Sequence, residues 1–104
     1  MRFIGNRDIA VSVKNLESSR RFYEDVLGFK VERVDDKLAV YNTGHFTLYV
    51  QEGEPHPPVP SLTVQDIDMV RNLLVETGCV IVTDRGTSLY FRDPDGNLWD
   101  IIED

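Results

Sequence analysis

The residue best suited to a chemical role is Asp100, a carboxylate in an otherwise apolar run near the end of the chain. The preceding turn, Asp93-Pro94-Asp95-Gly96, combines a proline that fixes φ, aspartates that bond their own backbone and a glycine that accepts positive φ. Apolar segments flank the turn, so the pattern predicts a hairpin. Alternation along its second strand places Asp100 on the face opposite Trp99 and Ile101. Asp100 is therefore either a functional carboxylate or a solvent-exposed acid.

The other side chains suited to chemistry are few. His45 and His56 are the two imidazoles, and both fall in segments of turn or connector composition, where solvent-exposed histidines are common. Cys79 is the lone cysteine, so it cannot form an internal disulfide. Its apolar surroundings favour a buried, inert position over a reactive thiol.

Length and charge limit the classes of protein. A chain of 104 residues is expected to form a single domain. The formal charge of −7 disfavours nucleic acid and anionic lipid as partners, because both repel an acidic surface. No apolar run approaches the roughly 20 residues of a membrane helix, and the N-terminus lacks the apolar core of a secretory signal. The expected location is the cytoplasm.

The first half predicts one strand, one helix and three strands. Residues 8–13 alternate between apolar and polar side chains, as in a half-buried strand. Asn15 is a candidate N-cap for a helix running from Leu16 to Leu27, and Gly28 is placed to end it. Three short strands are predicted at residues 29–34, 38–41 and 46–51.

The same pattern begins again after a proline-rich run. We interpret residues 1–52 as module one, 53–60 as a connector that prolines keep out of a strand ladder, and 61–104 as module two. An offset of 51 positions aligns Asn15 with Asp66 and Arg20 with Arg71, and one residue is lost where Gly28 meets Gly78. The match predicts a duplicated βαβββ module; two unrelated α+β halves are the alternative.

Several motifs carry a resemblance to a known family. Asn15-Leu16-Glu17-Ser18-Ser19, Phe22-Tyr23, Leu27-Gly28-Phe29 and Asp93-Pro94-Asp95-Gly96-Asn97 resemble the glyoxalase, bleomycin-resistance protein and extradiol dioxygenase superfamily, also called the vicinal oxygen chelate superfamily. The resemblance implies an α+β fold in which two βαβββ modules, with curved mixed sheets, enclose a cleft. It also implies a homodimer, with modules exchanged or juxtaposed between the two chains.

The resemblance further implies where a metal would be held. The metal enzymes of the family take one ligand from the first strand and one from the last strand of each module, usually His or Glu. The matching positions here are Asp8, Tyr49, Val59 and Asp100. Valine cannot ligate and neutral tyrosine is a poor ligand for divalent ions, so we expect no bound metal or other cofactor. If a metal is bound, the candidate ligands are Asp8, Asp100, His45 and His56.

The cleft that this fold implies would have small or apolar walls with a few polar groups, which is typical of a small-molecule pocket. The residues predicted to contact a ligand are Asp8, Ser12, Tyr49, Ser61 and Asp100, with Tyr41, Tyr90 and Arg92 on the middle strands. Phe22, Tyr23 and Trp99 are assigned to the core instead.

Two hypotheses follow for function. The first is a protein that binds a small, cationic molecule without a metal, in the manner of the bleomycin-resistance branch, because converging carboxylates would attract a cation. The second is a metal-dependent lyase, isomerase or dioxygenase with a degenerate site holding Mn, Fe, Ni or Zn. A module that acts only through a protein partner is a third.

Overall fold

The structure is a computed structural model that describes residues 2–104. Two β-α-β-β-β modules follow one another, as predicted. The first contains β1 (Ile4–Val13), α1 (Leu16–Arg21), a π-helical turn (Phe22–Val26), β2 (Lys30–Val34), β3 (Leu38–Asn42) and β4 (Thr47–Glu52). The second contains β5 (His56–Val64), α2 (Ile67–Glu76), β6 (Val80–Asp84), β7 (Ser88–Arg92) and β8 (Leu98–Glu103).

The chain forms two compact units that do not coincide with the predicted modules. One unit is residues 7–58, and the other combines residues 2–6 with 59–104. The first strand, β1, therefore contributes its start to one unit and its remainder to the other. Arg7 is the first residue of the unit of residues 7–58, and its φ of 64° lies in the left-handed region that non-glycine residues seldom adopt.

Each unit contains a four-stranded mixed sheet. In the unit of residues 7–58 the strand order is β2-β3-β4-β1, and β1 is parallel to β4, with Asp8 opposite Thr47. In the other unit the order is β5-β8-β7-β6, and β5 is parallel to β8, with Ser61 opposite Asp100. The remaining neighbours within each sheet are antiparallel.

The two helices begin in the same way, which supports the duplication. The Asn15 carboxamide oxygen accepts from the Ser18 amide at 3.0 Å, and the Asp66 carboxylate accepts from the Met69 amide at 3.1 Å. A glutamate from the last strand of each module also accepts from the first helical amide at 3.0 Å, Glu52 from Leu16 and Glu103 from Ile67. These bonds satisfy donors that have no partner within the helix.

Each unit has its own apolar core. Leu16, Tyr41 and Val50 belong to the core of residues 7–58, and Tyr23 packs against it with its ring stacked on Phe29 at 6.2 Å between centroids. In the other unit the buried residues are Val64, Ile67, Val70, Leu74, Leu89, Phe91 and Ile101, with Phe3, Cys79 and Trp99 packed against them. The core assignments of Tyr23 and Trp99 are confirmed.

The core assignment of Phe22 is wrong. Phe22 has 50% of its surface exposed, and Leu73, the equivalent residue of the second module, has 39% exposed. Both residues lie six positions after the first buried helical residue, Leu16 or Ile67. At 100° per residue this spacing places them at the margin of the apolar stripe.

The proline-rich connector is shorter than predicted. β5 begins at His56 and includes three prolines, so residues 56–60 are extended strand and not linker. Its parallel pairing with β8 covers Ser61–Val64, so the prolines precede that ladder and their missing N–H groups cost it no hydrogen bond. No helix within residues 2–104 has the length and apolar character needed to cross a bilayer.

Candidate functional site

Asp100 lies in a connected group of polar side chains in the unit of residues 2–6 and 59–104. The Ser61 hydroxyl donates to Asp100 Oδ2 at 2.8 Å. Asn6 Nδ2 donates to Ser61 Oγ at 2.9 Å and to Thr63 Oγ1 at 3.0 Å. Ser61 is 6% exposed, and Asn6, Thr63 and Asp100 are partly buried.

Strand register places a tyrosine beside this carboxylate. Tyr90 on β7 is directly opposite Asp100 on β8. Burial, and then the negative charge of Asp100, raise the pKa of the Tyr90 hydroxyl, while Arg85 acts in the opposite direction. The Arg85 guanidinium carbon lies 5.8 Å from the centre of the Tyr90 ring, within cation–π range. The phenol is therefore neutral at physiological pH, with a ring face that contacts a cation.

The unit of residues 7–58 brings together a second polar pair. The register of β1 and β4 places Tyr49 opposite Ala10, one alternate position from Asp8. Burial raises the pKa of the Asp8 carboxyl. Burial, followed by the charge of Asp8, also raises the pKa of Tyr49. Ser12 shares the parity of Asp8 and is 6% exposed.

Tyr41 does not belong to this surface. It is opposite Leu48 in the β3–β4 ladder, has no exposed area and lies in the core. Its neighbour Val40 is the residue opposite Tyr49. The prediction placed Tyr41 on the wrong face. The second module is one residue shorter at the end of its helix, so the two modules align at an offset of 50 in the middle strands. At that offset Tyr41 aligns with the buried Phe91, and a shift of one residue reverses the face of a strand side chain.

Arg92 has the predicted parity but a local contact. It is opposite Leu98 in the β7–β8 ladder and is exposed. Its Nη1 donates to the Gly96 carbonyl at 3.1 Å, in the turn that precedes β8. Of the three predicted residues on the middle strands, Tyr90 is therefore the one that lies next to Asp100.

Two of the four positions predicted to hold a metal carry residues that are poor ligands. Val59 is 1% exposed and offers no donor, and Tyr49 is a protonated phenol. His45 is exposed on the β3–β4 loop, and His56 Nδ1 lies 2.8 Å from the Pro57 carbonyl oxygen. Across residues 2–104, no three His, Cys, Asp or Glu side chains are grouped so that they could hold a metal.

Asn6 is the member of the group that the sequence did not single out. It precedes the predicted start of β1, although it has the same odd–even parity as Asp8. The alternation of residues 8–13 stops at Arg7, which is charged where an apolar side chain would be expected, so no pattern in the sequence places Asn6 on the strand.

The fold and the repeated module define the class of protein. The family model described as the Glyoxalase/Bleomycin resistance protein/Dioxygenase superfamily matches residues 7–101, and the chain belongs to this superfamily. Among curated proteins, virulence protein STM3117 of Salmonella typhimurium is 30% identical over 116 aligned positions, which cover 91% of this chain and 81% of that protein.

Solved structures share the fold at lower identity. Homoprotocatechuate 2,3-dioxygenase from Arthrobacter globiformis superposes with a TM-score of 0.72 at 21% identity, over 98% of this chain and 36% of the dioxygenase. The chain thus spans about a third of that enzyme's length. The hypothetical protein BH1468 from Bacillus halodurans has a TM-score of 0.72 at 16% identity, over 100% of this chain and 96% of its own.

Proposed function

We propose that this protein binds a small molecule carrying a positively charged amine at Asp100, without a metal ion. The observation that carries the proposal is the hydrogen bond from Ser61 to Asp100 at 2.8 Å. It holds a carboxylate in place on a partly buried sheet surface, where attraction to a cation is stronger than in bulk water. Fixing the carboxylate beforehand also lowers the entropy lost on binding.

Tyr90 supports the same ligand class. A neutral phenol beside a carboxylate offers a flat apolar surface and a hydrogen-bonding hydroxyl. One cationic side chain, that of Arg85, already lies within cation–π distance of the ring. An amphipathic amine would combine an ionic contact to Asp100 with stacking on Tyr90.

The remaining predicted contacts form part of the proposal. In the unit of residues 7–58, Asp8, Ser12 and Tyr49 form a second polar group, to which we assign a weaker contribution. A homodimer in the cytoplasm is the expected context. Size-exclusion chromatography with light scattering would test the dimer independently of ligand.

Binding to a panel of cationic antibiotics and amine metabolites tests the proposal. We expect at least one compound to raise the melting temperature, and Asp100→Asn to weaken its binding at least tenfold, as measured by calorimetry. Asp95→Asn is the matched control, because it removes the same charge from an exposed turn position and should leave the affinity unchanged. The absence of any thermal shift across the panel would contradict the proposal.

A metal-dependent lyase, isomerase or dioxygenase is the competing candidate, favoured by the structural similarity to homoprotocatechuate 2,3-dioxygenase. Elemental analysis of protein purified without chelators separates the two. We expect only trace metal. Near-stoichiometric Mn, Fe, Ni or Zn that is lost in Asp100→Ala would overturn metal-free binding.

A further inference from the structure

Asn6 is linked to the Asp100 carboxylate through Ser61. Its amide nitrogen donates to two hydroxyls, Ser61 Oγ at 2.9 Å and Thr63 Oγ1 at 3.0 Å. Ser61 then donates to Asp100 Oδ2 at 2.8 Å. Asn6 comes from the start of β1, whereas Ser61 and Asp100 lie on the paired strands β5 and β8.

The chemistry of the three groups fixes the direction of these bonds. A serine hydroxyl has one hydrogen to donate, and an ionised carboxylate can only accept. If the Asn6 carbonyl oxygen faced Ser61, that single hydrogen would be shared between two acceptors. With the amide nitrogen facing Ser61, each donor has its own acceptor, and the Ser61 hydrogen is committed to Asp100.

We propose that Asn6 is a positioning residue that acts through Ser61 to hold the Asp100 carboxylate in one orientation. The inference rests on the proposed function for its purpose, because an oriented carboxylate is what an amine ligand would use. Asn6 itself does not contact the ligand. Thr63 accepts the other hydrogen of the Asn6 amide but is not part of the link to Asp100.

Rotamer populations in the ligand-free protein test this directly. Three-bond NMR couplings of Asp100 report whether its χ1 angle occupies one staggered state or averages over several. We expect a single state in the native chain and averaged couplings in both Asn6→Ala and Ser61→Ala. Because the two residues act in series, the double variant should match Ser61→Ala. Ser61→Thr, which keeps a hydroxyl, should restore the single state.

Thr63→Val is the matched control, because it removes the second Asn6 bond and leaves the Ser61–Asp100 bond in place. We expect its Asp100 couplings to remain at native values. If Asn6→Ala fails to fold, Asn6→Asp replaces the donor by an acceptor of the same shape and should give the same averaging.

Two results would overturn the inference: native couplings at Asp100 in a folded Asn6 variant, or a double variant more averaged than Ser61→Ala. Neither measurement involves a ligand. An ordered Asp100 in a protein that binds no amine would contradict only the proposed function.

Discussion

Tyr41 has no exposed surface, and its hydroxyl donates to Glu24 Oε2 at 2.7 Å. The same carboxylate oxygen accepts from Arg20 Nε at 2.8 Å. Burial first, and then the hydrogen bond to Glu24, raise the pKa of Tyr41 to about 12 from its usual value near 10. This partly buried chain of three side chains joins the π-helical turn to the sheet.

The raised pKa of Tyr41 makes stability sensitive to alkaline pH. The folded chain retains a proton that the unfolded chain releases near pH 10, so this contribution is complete below pH 10 and is lost as pH rises to about 12. The rise in the pKa of Tyr41 to about 12 corresponds to about 2–3 kcal/mol of the free energy of unfolding. We expect Tyr41→Phe to cost about 1 kcal/mol at pH 7 and to show a correspondingly shallower decline above pH 10, in urea unfolding.

Tyr23→Phe is the control for the Tyr41 prediction, since Tyr23 packs on the same core. Because Tyr41 is retained in this variant, the decline in stability above pH 10 should persist. The difference between the native and Tyr41→Phe curves isolates Tyr41 from Tyr49 and Tyr90, whose pKa values are also raised. Parallel curves for the native and Tyr41→Phe proteins would contradict the prediction.

At the residue scale, the sequence predicted the face of Asp100 and its neighbour Tyr90, because strand alternation and the turn fix both. It did not predict the Asn6 hydrogen bonds or the burial of Tyr41. A shift of one residue reverses the face of a strand side chain, and the position of that shift depends on a helix end that apolar periodicity locates only approximately.

The starts of the two helices repeat the same hydrogen-bond pattern. Each has a side-chain N-cap and a glutamate contributed by the last strand of its module. Since Glu103 and Ile67 are 36 positions apart, this bond ties the start of α2 to β8 through tertiary structure. The cap residues were predicted, but the distant glutamates were not identified as helix partners.

Glu103→Ala tests the contribution of this contact. The variant leaves the Ile67 amide without its protein acceptor, and we expect the free energy of unfolding to fall by about 1 kcal/mol in urea titrations. Glu54→Ala removes the same charge from an exposed bend and should change stability little. Equal effects of the two substitutions would show that charge, and not the hydrogen bond, is responsible.

Most elements were predicted with bounds close to those observed, but β1 and β5 begin earlier. The helix predicted from Leu16 to Leu27 is α-helical only to Arg21 and continues as a π-helical turn over Phe22–Val26. Residues 4–7 lack an alternating pattern, so sequence periodicity does not extend the strand to them. In β5, the prolines exclude a full ladder but are compatible with extended backbone, because their fixed φ lies near the β and polyproline regions. The absence of amide donors therefore does not exclude a strand at these residues.

At the scale of the whole molecule, the two compact units do not follow the order of the chain. Residues 2–6 belong with residues 59–104, and Phe3 packs against the core of that unit. The duplicated modules are thus recognisable in sequence, while the physical units are not. Local sequence patterns do not predict to which core the start of β1 belongs, because this depends on tertiary packing.

Phe3→Ala tests this division by hydrogen exchange. Loss of a partly buried aromatic side chain should cost about 1–2 kcal/mol. We expect faster amide exchange in residues 59–104, with residues 7–58 close to native rates. Ile4→Ala is the control, since Ile4 is 54% exposed. Equal acceleration in both units would contradict the division.

Arg7 constrains how this chain can vary during evolution. Its left-handed backbone at φ 64° is compatible with glycine or asparagine but clashes with side chains branched at Cβ. Homologues that keep this chain path should therefore be enriched in glycine, asparagine or long unbranched side chains at position 7, and depleted of valine, isoleucine and threonine. This signature would come from backbone geometry alone, without any ligand or catalytic step.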